Sequence, residues 1–145
     1  MFGKKLLIDT NILSSVLLRQ NNFEVSRQFL KTAETLGIEV LITDFSIYST
    51  CILLQSRGKN ILFEQFIKYL GNSPNVKIYR FIPSEIQQIY YGPQQLDFDD
   101  KVHYFLGKKE NIIFVSYDHD FDKTDLKRLT PAQLLEEFEN FSKYQ

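Results

Sequence analysis

The chain has 145 residues, 43% of them hydrophobic and 24% charged, which fits one globular domain with a real core and excludes disordered, collagen-like or low-complexity scaffolds. A single cysteine, Cys51, excludes an internal disulfide framework and any Cys-rich zinc site. A formal net charge of -1 weighs against passive coating of nucleic acid, which draws on many Lys and Arg contacts to phosphate, while leaving open an enzyme that grips phosphate through bound metal.

In chain order, Lys4 to Asp9 reads as a short buried strand, the apolar trio Leu6-Leu7-Ile8 ending on a carboxylate. Because this run stops at Asp9 it is no signal peptide, and no apolar stretch approaches the ~18 residues of a membrane span. A soluble, cytoplasmic protein is expected. Asn11 to Leu18 reads as a helix and, after a polar break, Phe23 to Leu36 as a second one stopped by Gly37. Val40 to Ile42 is the next strand. Thr43 is the N-cap of a helix running to about Gln55 and closed by Gly58. Ile61 to Leu70 carries an apolar stripe at helical spacing, ended by Gly71; it reads as core, with a share available for a homodimer face. Val76 to Phe81 is a third strand, and Ser84 caps a short helix ended by Gly92-Pro93.

The last third continues with a helix over Asp99 to Lys108, a strand over Ile112 to Val115, a loop rich in acids and Lys, and an extended piece at Arg128-Leu129. Thr130-Pro131-Ala132-Gln133 opens the final helix, with Thr as N-cap, Pro at N1 and Gln at N3. Strands apolar throughout, alternating with helices, imply a three-layer α/β/α sandwich around a central parallel sheet, with ligands at the carboxyl ends of the strands.

Acids fall at those ends. Asp9 closes the first strand, Asp118 follows the fourth, and Asp100 opens the helix before it, with Asp97, Asp99, Asp120 and Asp122 close by. A lone acid in a loop or first helical turn needs no ligand. Asp9 differs, because a carboxylate directly after a buried strand wants a partner or a metal. Two carboxylates 4 Å apart repel by about 4 kcal/mol at an effective dielectric of 20, so a cluster must take up protons, find cations or bind an ion. An all-oxygen set without Cys favours Mg²⁺ or Mn²⁺, and such ions equip a site for phosphodiester hydrolysis.

Leu6-Leu7-Ile8-Asp9-Thr10-Asn11 resembles the first motif of PIN domains. Leu96-Asp97-Phe98-Asp99-Asp100 entering a helix is similar to their third motif, and Phe114-Val115-Ser116-Tyr117-Asp118-His119-Asp120-Phe121 to their fourth. With Leu129-Thr130-Pro131 the likeness spans nearly the whole chain. It implies a metal-dependent ribonuclease of the VapC-like toxin type, paired with an antitoxin. On that resemblance Asp9, Asp100 and Asp118 would hold Mg²⁺ or Mn²⁺, Asn11 and Ser116 would orient ligands or a metal-bound water, and Asp120 and Asp97 would be auxiliary. Water would attack the phosphorus of RNA in line, leaving 5′-phosphate and 3′-hydroxyl ends.

One motif departs from the pattern. The glutamate these enzymes usually carry early in the helix after the second strand falls at Tyr48, or at Ile47 with a one-residue slip. Asp44, one turn before Tyr48, is either a partial replacement or an acid offsetting the helix dipole. A catalytically weakened module that binds RNA or protein without cleavage is therefore the alternative function. His103 reads as a locally hydrogen-bonded helix residue, His119 as an exposed loop residue and Cys51 as core. A phosphoaspartate receiver lacks its further acid pair and its Lys, and a haloacid-dehalogenase-type phosphatase would need an acid where Asn11 stands.

Overall fold

The computed structural model describes residues 5–143; Lys4, placed in the first strand by the sequence, lies outside them. The chain runs β1 (Leu6–Ile8), α1 (Thr10–Leu17), α2 (Phe23–Thr35), β2 (Val40–Thr43), α3 (Asp44–Ser56), α4 (Asn60–Asn72), β3 (Val76–Tyr79), α5 (Pro83–Tyr90), α6 (Phe98–Glu110), β4 (Ile113–Val115), β5 (Arg128–Leu129) and α7 (Pro131–Lys143). A 3-10 turn, His119–Lys123, fills part of the acid-rich loop after β4.

The five strands form one parallel sheet in the order β3-β2-β1-β4-β5. Alternation along the strands sends side chains to opposite faces. Leu6, Ile8, Val40, Ile42 and Val115 join one core cluster with Ile12, Phe29, Phe66 and Phe138, and Leu7, Leu41 and Phe114 join a second with Leu106 and Phe121. Both faces are covered, which is why the strands read as continuous apolar runs. The chain moves outward from β1 through β2 to β3, then returns to the other side of β1 with β4. The crevice between the carboxyl ends of β1 and β4 is thus the switch point where open α/β sheets bind ligands.

Boundaries differ from the sequence expectation at a few places, each with a local cause. β3 stops at Tyr79 rather than Phe81, because its partner β2 ends at Thr43, opposite Tyr79. The fifth helix starts at Pro83, with Ile82 rather than Ser84 at the cap: Pro fits N1, and the Glu85 carboxylate accepts the Ile82 N–H at 3.0 Å. α6 begins at Phe98, one residue early, which puts Asp99 and Asp100 in its first turn. α4 runs through Gly71 to Asn72.

The α4 stripe is mostly core: Phe66 is buried, and Leu62, Phe63, Tyr69 and Leu70 pack against the main cluster. Cys51 is half-buried against that cluster, and burial pushes its thiol pKa up. α5 buries one apolar residue, Ile89, beside one acid. Ile82, Ile86 and Tyr90 face solvent while Glu85 is buried and receives hydrogen bonds from Lys109 Nζ at 2.7 Å and from the Tyr79 hydroxyl. Burial opposes charge on Glu85, but the bonds from Lys109, Tyr79 and the Ile82 N–H win and lower its pKa to about 2. Among the described residues no helix is long and apolar enough to cross a membrane.

Candidate active site

Parallel register builds the centre of the site. Ile8 pairs with Val115, so the next residues, Asp9 and Ser116, emerge side by side. Ser116 is fully buried and donates its hydroxyl proton to Asp9 Oδ2 at 2.6 Å. The same Ser116 Oγ accepts from Asn11 Nδ2 at 3.2 Å and from the Asp118 N–H at 3.0 Å. One hydroxyl thereby joins the acid after β1, the amide on α1 and the start of the loop carrying Asp118. Asp118 Oδ1 in turn caps the 3-10 turn by accepting the Asp120 N–H at 2.9 Å.

α6 brings the remaining acids. One oxygen from each of Asp100, Asp118 and Asp120 lies within 4.8 Å of the others, and Asp97, Asp99 and Asp100 form a second such group. Asp100 belongs to both. Burial, followed by the charges of Asp99, Asp118, Asp9 and Asp97, pushes its pKa up to about 7. Asp9 is outside both groups but bears on Asp100 through that charge. Convergent carboxylate oxygens without sulfur or nitrogen donors suit a hard divalent ion, and the charge crowded on Asp100 is what such an ion would relieve. The residues fit the metal the sequence motifs imply.

The other named residues fall outside that cluster. Asp44 is half-buried; its carboxylate accepts the Phe45 N–H at 2.8 Å and the Phe81 N–H at 3.4 Å. It borders a cavity of about 240 Å³ lined by Phe45, Tyr48, Phe81, Ile86, Ile89, Phe98 and Val102. Tyr48 is 64% exposed. Asp122 is bound by Arg128 through two bonds, at 3.0 and 2.8 Å, and that guanidinium lowers its pKa. Arg128 also donates to the Ser116 carbonyl at 3.1 Å, bracing the loop from β5. His119 is exposed, as its loop position suggests.

The sequence reading missed a buried polar network on the α3 side. His103 is 1% exposed. Its bond to the Asp99 carbonyl, at 3.1 Å, is the local one expected. Its other ring nitrogen, Nε2, lies 3.2 Å from Ser46 Oγ on α3, and Ser46 Oγ also meets Thr10 Oγ1 at 2.7 Å and Thr43 Oγ1 at 3.1 Å. The available signal was the pair of hydroxyls at the start of α3, Thr43 and Ser46, three residues apart as in a cap.

A parallel five-stranded sheet whose switch-point crevice is walled by Asp9, Asp100, Asp118 and Asp120 defines an α/β/α protein with a cluster of carboxylates that could hold a metal ion. The chain matches the PIN domain over residues 6–127 and belongs to that family. Its fold is similar to VapC20 of Mycobacterium tuberculosis, described as a sarcin-ricin loop cleaving toxin, with a TM-score of 0.68 and 12% identity over 84% of this chain and 96% of that one. VapBC2 of Rickettsia felis, solved with a promoter DNA fragment, gives 0.68 at 12% identity, covering 86% and 97%. FitAcB of Neisseria gonorrhoeae gives 0.63 at 19% identity, covering 88% and 98%. No match is found among curated protein sequences.

Proposed function

We propose that the protein is a metal-dependent endoribonuclease, the toxin of a toxin–antitoxin pair acting in the cytoplasm. The observation that carries this reading is the convergence of Asp100, Asp118 and Asp120 oxygens within 4.8 Å at the switch point of a PIN domain. In this reading Asp9, Asp100 and Asp118 hold Mg²⁺ or Mn²⁺, with Asp120 as a further ligand and Asp97 at the rim. The ion supplies Lewis acidity toward a phosphoryl oxygen and an activated water. Ser116 and Asn11 keep Asp9 and the Asp118 loop oriented. The likeness to VapC20, a sarcin-ricin loop cleaving toxin, supports RNA as substrate, and the likeness to VapBC2, solved on promoter DNA, supports an antitoxin partner.

The alternative, a module that binds without cutting, draws on α3: its one acid, Asp44, is taken up by backbone N–H groups. Incubating single-stranded RNA with Mn²⁺ and either wild type or Asp9→Asn decides between them. Cleavage by wild type that the substitution abolishes supports the nuclease. RNA bound equally and cut by neither supports the module.

A further inference from the structure

His103 touches three elements that build the cleft. Its Nδ1 faces the Asp99 carbonyl at 3.1 Å, and since a carbonyl only accepts, Nδ1 carries a proton. The same nitrogen lies 3.8 Å from Asp9 Oδ1, the carboxylate oxygen that Ser116 does not hold. Nε2 meets Ser46 Oγ, which Thr10 and Thr43 also engage, so the ring is tied to the start of α1 and to α3. The Phe114 ring packs against the imidazole, tilted by 34° with centroids 5.5 Å apart. Four buried or half-buried polar side chains in contact are costly unless each is satisfied, and here the contacts close on one another.

We propose that His103 is a positioning residue of the acid centre. Resting on the metal reading above, its role is to lock the first turn of α6, and so Asp100, to α3 through Ser46 while its Nδ1–H edge confronts Asp9. The wall of the cleft formed by α3 then contributes hydroxyl contacts that hold His103, in place of a carboxylate of its own. Asp44, the only acid on that helix, is turned elsewhere.

Two substitutions separate positioning from packing. His103→Leu keeps apolar bulk against Phe114 and removes both ring nitrogens; His103→Gln retains a polar terminus that reaches where Nε2 stands, and with it a hydrogen bond to Ser46 Oγ. Mn²⁺ affinity is measured by calorimetry and by paramagnetic resonance of free Mn²⁺, without substrate. Positioning predicts a loss of about tenfold or more for the Leu variant and rescue of most of it by Gln. A packing role predicts the reverse order, and wild-type affinity in the Leu variant overturns the proposal. If the Leu variant does not fold, Ser46→Ala retains the ring and removes its anchor, and unchanged affinity there overturns the proposal equally. Wild type that takes up no Mn²⁺ overturns the metal reading itself, and this role with it.

Discussion

Replacing Asp100 by Asn tests the electrostatics of the centre without any substrate. In the metal-free fold Asp100 is held at about 7 by burial and by Asp99, Asp118, Asp9 and Asp97, against an ordinary 3.8. A folded-state value above the unfolded one means that the folded state binds the proton more tightly. Stability contributed by the protonated group is therefore intact below about pH 4 and is lost as pH rises through 7. The full linkage is about 4 kcal/mol; the side chain is only half-buried, and solvent screening reduces this to about 1–2 kcal/mol. Asp100→Asn should then unfold at a higher temperature than wild type at pH 8 in EDTA, by about 3 to 8 °C for a chain of this size. Most of the gain should be gone near pH 4, where the folded-state aspartate is protonated and the unfolded one is nearing its own midpoint. On the proposed metal reading, saturating Mn²⁺ should reverse the order, since only wild type would keep the ligand; an ion at 100 times its Kd stabilises by about 2.7 kcal/mol. Calorimetry across the pH range reads all three arms. A variant less stable than wild type at pH 8, or equally stabilised at pH 4, would refute the account of crowded carboxylates.

Ser116→Ala strips Asp9 Oδ2, Asn11 Nδ2 and the Asp118 N–H of their shared partner in a fully buried place; denaturant titration should show a loss of about 1–3 kcal/mol, and an unchanged midpoint would count against the knot. Asp44→Asn should leave Mn²⁺ affinity as it is, because that carboxylate serves the Phe45 and Phe81 N–H groups; a fall in affinity would return it to the site. Glu85, depressed to about 2 from 4.5, contributes stability that is present above pH 4.5 and drains away as pH falls toward 2. Glu85→Gln should flatten that acid limb in urea titrations between pH 6 and 2.5, and an unaltered limb would show that the Lys109–Glu85–Tyr79 cluster does not govern it.

The amino-acid order alone placed the α-helices and strands described above, though not the 3-10 turn at His119–Lys123, because strands buried on both faces leave unbroken apolar runs and because Thr43, Gly37, Gly58 and Pro131 punctuate the elements between them. It also put Asp9 and Asp118 after the right strands, since an acid directly behind an apolar run marks a carboxyl end. Convergence was decided by the tertiary structure. The parallel register that sets Ile8 beside Val115 joined Ser116 to Asp9 across more than a hundred residues. The packing of α6 gathered Asp100 with Asp118 and Asp120 and seated His103 against Ser46, while Asp44 on α3 met the Phe81 N–H of the β3–α5 connection. Local pattern fixes which end of an element a side chain occupies. Which distant side chains it meets there depends on register and packing between elements, and no spacing along the chain encodes those singly.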